Sequence, residues 1–153
     1  MDIDQGKKAF NIWDFQEKLT WRLAAWSLGS MLAGAVMYPR GDFMRGLAVQ
    51  CAAWGAIDLL IAVLGAVSAR GKRAQIRAGE EAQVAARETG SLRRILLINS
   101  GLDVLYMAGG LAVILMLGAD NQNWLGHGWG VLIQGAFLLV FDLYHARQCD
   151  PYP

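Results

Sequence analysis

The chain has 153 residues, of which 55% are hydrophobic, and a formal net charge of +1. This length is enough for one membrane domain but not for several, and the near-balanced charge points to no particular partner. The mean hydropathy of +0.30 understates the apolar character, because the polar residues are concentrated between four apolar runs. The first eighteen residues carry several charges and no uninterrupted apolar stretch, so no cleavable signal peptide is predicted.

The four apolar runs predict an all-α fold with four transmembrane helices. Two of the runs are interrupted by a single charged residue, Asp58 in one and Asp103 in the other. Each run supplies about 20 residues, enough to cross a hydrocarbon core of ~30 Å. The predicted spans are residues 19–38, 44–69, 93–118 and 124–146. We expect residues 1–153 to form one four-helix membrane bundle built of two helical hairpins.

The short segments beside the spans predict an amphipathic start and two turns. Residues 8–18 combine aromatic side chains with charges, which indicates either an interfacial helix or the aromatic belt of the first span. Pro39 and Gly41 predict the first hairpin turn, since Pro ends a helix and Gly has a permissive backbone. The polar residues 120–123 predict the second turn.

The longest polar segment, residues 70–92, is rich in helix formers and in arginine. It predicts a cytoplasmic helical arm, with breaks at Gly79 and Gly90. Lys and Arg are concentrated in this arm and at the N-terminal flank, whereas the opposite side has only Arg40 and Arg45. The positive-inside rule therefore places both termini and the arm in the cytoplasm. A solvated, topology-setting arm is favoured over a nucleic-acid-binding one, so no nucleic-acid partner is expected.

Polar residues within the spans predict a ligand-binding site near the middle of the membrane. A bilayer strongly penalises carboxylates, so Asp58 and Asp103 should face the bundle interior. Asn99, Asp103 and Tyr106 share one helical face, and Gln134 lies at a similar depth on the fourth span. We expect these five residues to form the site, where the carboxylate pair could hold a proton or a small cation. The alternative is that they only fix helix packing through hydrogen bonds.

Four further polar residues on the inner faces are secondary candidates for the site: Ser27, His127, Asp142 and His145. His127 and His145 are separated by ~27 Å along one helix, so they cannot hold a haem or a metal ion together. The sequence contains no HExxH, CxxC, phosphate-binding loop or catalytic triad arrangement. We therefore predict no catalytic residues, no metal site and no cofactor, and an enzymatic role is the least favoured.

Two segments in the second half carry a resemblance to a known family. The sequences LLINSGLDVLYMAGGLAVI (residues 96–114) and LIQGAFLLVFDLYHA (residues 132–146) resemble the second half of a bacterial family of four-span membrane proteins of unknown function. The matching positions are Asn99, Gly101, Leu102, Asp103, Tyr106, Gly110, Gln134, Gly135, Phe137, Phe141, Asp142 and His145. The resemblance implies a four-helix membrane fold in the bacterial inner membrane, and it implies no activity.

The leading functional expectation is an integral membrane protein that binds a small ligand, cation or proton at the mid-membrane polar cluster, with or without translocating it. The competing expectation is a non-catalytic accessory or interaction subunit of a membrane complex, whose buried polar residues only fix packing. Because four helices enclose little volume, a pathway would need an interface between protomers. The expected partners are thus the lipid bilayer and either a second copy of the chain or another membrane protein.

Overall fold

The computed structural model describes residues 10–149. Over these residues the chain forms four α-helices and one short 3-10 turn, with no β-strand. The helices are α1 (Ile12–Met37), α2 (Asp42–Ala74), α3 (Glu81–Met116) and α4 (Gln122–Gln148). The all-α class predicted from the sequence is confirmed.

Three of these helices, α2, α3 and α4, are long and apolar enough to cross a membrane. The first half of α1 is less apolar because it carries charged residues, among them Glu17, Lys18 and Arg22. The first predicted span, residues 19–38, covers the apolar remainder of α1 and the start of the following turn. A crossing by this segment stays a prediction.

Side-chain hydrogen bonds explain where α1 and α4 begin. Asn11 Oδ1 accepts a hydrogen bond from the backbone N–H of Trp13 at 3.0 Å. Asn121 Oδ1 accepts from the backbone N–H groups of Asn123 at 2.9 Å and Trp124 at 3.2 Å. An oxygen at this position satisfies N–H groups that the first helical turn leaves without partners. The second predicted turn therefore ends at a capped helix start.

The first hairpin turn lies where Pro39 and Gly41 predict it. Pro39 sits in the 3-10 turn Tyr38–Arg40, between α1 and α2. Gly41 has a φ of +115°, a backbone conformation that side chains disfavour and glycine adopts readily. The chain reverses there, and α1 packs against α2 along the hairpin.

Most of the aromatic and charged N-terminal segment belongs to the first helix, and the described residues 10 and 11 precede it. Residues 12–18 form the first turns of α1, without a break before residue 19. The first two residues of the predicted interfacial helix, 8 and 9, lie outside the described residues.

The arm predicted at residues 70–92 consists of the end of α2, a turn at residues 75–80 and the beginning of α3. Gly79 marks the turn with a φ of +91°. The break predicted at Gly90 is absent, and α3 continues through it. One glycine inside a helix costs only about 1 kcal/mol, too little to interrupt so long an element.

Close contacts between α2 and α4 join the two hairpins. α1 packs on α2, α3 packs on α4, and α2 and α4 form the main joint between the pairs. A Cβ added at Gly46 would meet the backbone oxygen of Asn123, and one added at Gly126 would meet the backbone oxygen of Phe43. Two helix backbones come this close only where side chains are missing, as is common at helix crossings in membranes.

Large apolar side chains cover the outside of the bundle. Trp21, Leu32 and Leu115 are each 69% exposed, and such residues occur on all four helices. The interior contains mainly small and polar residues, including Ser27, Ser30, Ala48, Cys51, Asp58, Ala62, Ser100, Asp103, Gln134 and Asp142. This distribution is the reverse of that in a water-soluble bundle.

Candidate functional site

Three buried carboxylates from three different helices come together inside the bundle. Asp58 on α2 is 2% exposed, Asp103 on α3 is 3% exposed and Asp142 on α4 is 6% exposed. Asp103 acts electrostatically on both Asp58 and Asp142, and Asp58 acts on Asp142. Asp58 and Asp103 were the leading candidates from the sequence, and Asp142 was a secondary one. The structure places Asp142 in the same cluster.

The cluster, defined by Asp58, Asp103 and Asp142, has unsatisfied hydrogen-bonding capacity. Oδ2 of Asp58 and Oδ2 of Asp103 are both buried without a hydrogen-bond partner among the described residues. The ion pairs found over residues 10–149 are Arg45–Asp42 and Lys72–Glu88, and they involve none of the three aspartates. A buried polar atom without a partner is uncommon in folded proteins and calls for an explanation, such as a bound ion or a proton.

Asn99, near the middle of α3, is a polar neighbour of this cluster. It lies four residues before Asp103, and its side chain interacts with the Asp142 carboxylate. The spacing of four places Asn99 and Asp103 on one helical face, as the sequence predicts. Asn99 is therefore the polar neighbour of the carboxylates on the α3 side.

Gln134 belongs to a different, hydrogen-bonded network that faces α1. Its Nε2 donates to Ser30 Oγ at 2.6 Å, and its Oε1 accepts from Trp26 Nε1 at 3.0 Å. Nε2 also approaches Cys51 Sγ at 3.7 Å. Over residues 10–149 no hydrogen bond joins Gln134 to a carboxylate of the cluster. Neither Ser30 nor Trp26 was predicted as a site residue from the sequence. The available signal for Ser30 was its spacing, three residues after Ser27 and four before Gly34, which places these small residues on one face of α1.

Among the described residues, Ser27 and Tyr106 form no hydrogen bond with the three aspartates of the cluster either. Ser27 is fully buried, and its Oγ donates to the backbone oxygen of Leu23 in its own helix at 2.7 Å. Tyr106 is 41% exposed, and its ring packs edge-on against Trp54 with centroids 4.9 Å apart. Ser27 is therefore a small buried residue of α1 whose hydroxyl bonds within its own helix. Tyr106 contacts α2 through Trp54 at the half-exposed surface of the bundle.

The two histidines lie at opposite ends of α4 and bond to different helices. His127 Nδ1 is 3.0 Å from Gln50 Nε2 on α2. His145 Nδ1 is 2.7 Å from the backbone oxygen of Phe141, and its Nε2 is 3.1 Å from Arg22 Nη1 on α1. Because arginine can only donate, Nε2 of His145 must accept, and Nδ1–H donates to the carbonyl. The Arg22–His145 contact was not predicted from the sequence.

The surroundings of the cluster were compared with metal-ligand geometry and with the two main concavities of the described residues. Over residues 10–149 no group of three His, Cys, Asp or Glu side chains is arranged to hold a metal ion. Two concavities lie beside α1, one of about 310 Å³ against α2 and one of about 520 Å³ against α4. Neither is lined by a cluster residue, so neither gives open access to the carboxylates. The cluster therefore presents two buried carboxylate oxygens, one on Asp58 and one on Asp103, that no described residue hydrogen-bonds.

Comparisons with known proteins identify a family but no activity. No curated protein and no solved structure matches the chain. The model of a family of unknown function, DUF6992, matches residues 22–143. The match includes all three carboxylates of the cluster and extends well before the two segments whose resemblance was noted from the sequence. The chain belongs to the family of unknown function DUF6992.

Proposed function

We propose that this protein is a four-span membrane protein that binds a proton or a small monovalent cation at the cluster of Asp58, Asp103 and Asp142. The apolar outer surface supports the membrane location. On α1, whose crossing is part of this proposal, Leu32 and Val36 are 69% and 55% exposed. Side chains of this kind facing water over a whole bundle would form an apolar patch far larger than soluble monomers carry.

The observation that carries the proposal is the pair of buried carboxylate oxygens on Asp58 and Asp103 without partners. Holding an unpaired negative charge away from water costs several kcal/mol, and a second charge nearby adds to this cost. A proton shared between carboxyl groups, or a bound cation, removes the penalty.

The positive-inside rule gives the proposed orientation. The turn between α2 and α3 contains Arg77 and is preceded by Arg70, Lys72 and Arg73, whereas the turn between α3 and α4 contains no Lys or Arg. We therefore place the α2–α3 turn and both termini in the cytoplasm, in a bacterial inner membrane. Reporter fusions after residue 153 and in the 120–123 turn test this, because opposite compartments are expected for the two.

Translocation of the bound species would need a path to the cluster, and neither of the two concavities beside α1 reaches it. We extend the proposal to a small homo-oligomer in which such a path would lie between protomers. Light scattering of the purified protein in detergent gives its molar mass. A monomer at all concentrations would contradict this extension, but not the binding site itself.

The binding site is tested by thermal unfolding of the purified protein between pH 4 and pH 9, with sodium, potassium or neither. The wild type is compared with D58N, D103N and D142N, and with D120N as a control at an exposed residue in the outer turn. Because a species that binds only the folded state stabilises it, the wild-type melting temperature should rise with proton or cation concentration. D58N and D103N should remove most of this dependence, and D120N should retain it.

A second function is favoured by a specific observation, the network around Gln134. Its bonds to Ser30 and Trp26 hold α1 to α4 and leave no site for a ligand, as in a purely structural subunit. If the carboxylates act in the same way, Asn at position 103 should preserve stability at every pH, and Leu should destabilise. Equal melting of wild type, D58N and D103N under all conditions would refute the binding proposal and support this accessory role.

A further inference from the structure

A groove of about 310 Å³ runs between α1 and α2, near the end where α1 begins and α2 finishes. Its walls contain Ala24 on α1 and Ala62, Ala66 and Ala69 on α2. Small side chains at these positions leave a channel between two helices that larger residues would fill. The polar fraction of the wall is low, so the groove suits a flexible apolar chain.

One end of the groove carries charged side chains that have no hydrogen-bond or ion-pair partner among the described residues. Arg70 and Arg73 line this end from α2, and Glu17 lines it from α1. Over residues 10–149 neither arginine takes part in a described hydrogen bond or ion pair. The neighbouring Lys72 differs, because it pairs with Glu88 at 2.8 Å. Two positive charges and one negative charge leave the rim with a net charge of one positive.

A tryptophan supports a position of this rim at the level of lipid headgroups. Trp13 lines the same end of the groove as Arg73, whereas Trp21, which is 69% exposed, lies eight residues further along α1, beside the middle of the groove. Tryptophan is enriched at the boundary between headgroups and hydrocarbon. Guanidinium groups at this depth bind phosphate well, because each presents a fork of N–H donors.

We propose that the groove binds one phospholipid with a net charge of −1 and a hydroxyl-bearing headgroup, of the phosphatidylglycerol type. Its phosphate contacts Arg70 and Arg73, a headgroup hydroxyl donates to Glu17, and one acyl chain lies along the alanine wall. The proposal rests on the membrane location proposed above, but not on the carboxylate cluster.

Native mass spectrometry and thermal unfolding of the delipidated protein in detergent test the proposal with defined lipids. Phosphatidylglycerol should bind and raise the melting temperature, and phosphatidylcholine of the same chain length should do neither. The variant R70Q/R73Q should bind phosphatidylglycerol about twenty-five-fold more weakly, because each basic residue near a membrane surface contributes a factor of about five. The control variant R77Q/R87Q, with the same charge change outside the groove, should bind as the wild type does.

A second variant separates groove binding from simple attraction between charges. A66L keeps both arginines but fills the apolar wall, so it should weaken phosphatidylglycerol binding as well. Soluble glycerol phosphate, which has the headgroup chemistry without chains, should not compete. Equal binding of both lipids, an equal loss in R77Q/R87Q, or unchanged binding in A66L would overturn the proposal. D103N should bind phosphatidylglycerol normally, so a failure here is distinguishable from a failure of the carboxylate site.

Discussion

Two adjacent glycines in α3, Gly109 and Gly110, should respond in opposite ways to the same substitution. A Cβ at Gly110 would lie 2.9 Å from the backbone oxygen of Gly128 and 3.1 Å from the backbone nitrogen of Leu132. A Cβ at Gly109 would meet nothing within 4 Å. Gly110 faces α4, and Gly109 faces away from the bundle. The pair therefore compares one helix position at a packed seam with its neighbour on the outer surface.

The magnitude follows from two opposing contributions. Replacing glycine with alanine inside a helix stabilises it by up to about 1 kcal/mol, and this gain applies to both positions. Overpacking at a close contact costs about 1–3 kcal/mol, and this cost applies only to Gly110. The two closest contacts of Gly110 are backbone atoms of α4 and the third is the Cβ of Val131, none of which moves when a side chain rotates. We expect G109A to be neutral or stabilising and G110A to be less stable than G109A by about 1–3 kcal/mol.

Equilibrium unfolding of the two variants in mixed detergent micelles measures this difference directly, because the helix-propensity gain cancels between them. Far-ultraviolet circular dichroism checks that both retain the helical content of the wild type. Equal stability of G109A and G110A would refute the close approach of α3 and α4 at this point. A larger loss in G109A than in G110A would mean that α3 is rotated relative to the described packing.

Three further outcomes follow from single contacts. Gln134→Leu leaves the buried Ser30 hydroxyl without its donor, so the free energy of unfolding should fall by about 1–3 kcal/mol. An unchanged free energy of unfolding would contradict the hydrogen-bond network around Gln134. Burial raises the pKa of the Cys149 thiol, just beyond α4, to about 11, with a smaller opposing effect of Arg93. Maleimide should label Cys149 in the native protein near pH 8 far more slowly than in the unfolded chain, and equal rates would contradict its burial. Lys72→Met, which removes the partly exposed ion pair with Glu88, should lower the free energy of unfolding by less than about 1 kcal/mol. Denaturation at high salt should show a smaller loss, because salt screens the pair in the wild type.

The helical architecture could be predicted because its signals are local. Apolar runs of sufficient length, the turn at Pro39 and Gly41, and the polar residues 120–123 each predict an element or a boundary without reference to the rest of the chain. The prediction of a helix break at Gly90 was wrong because it, too, used a local signal. One glycine destabilises a helix by only about 1 kcal/mol, and the contacts along the whole of α3 outweigh that cost.

Residue spacing along α4 predicted which side chains share a helical face, but not which neighbouring helix that face contacts. Gln134 and His145 are eleven residues apart, about 20° around the helix, and both contact α1 through Ser30, Trp26 and Arg22. Asp142 is eight residues from Gln134, about 80° around the helix, and it lies with the other carboxylates instead. The sequence alone grouped Gln134 with Asp58 and Asp103 by depth, because depth can be counted along a helix.

The sequence by itself determined four helices, their apolar surfaces and the isolation of two aspartates in apolar surroundings, since these depend on composition and on the regular rise of a helix. Only the tertiary structure decided that Asp142 joins Asp58 and Asp103, and that Gln134 bonds to α1. The physical reason is that helical geometry fixes angles within one helix, whereas the rotation of one helix against another depends on contacts far apart in sequence. Here the joint between α2 and α4 is such a contact, with Gly46 beside Asn123 and Gly126 beside Phe43.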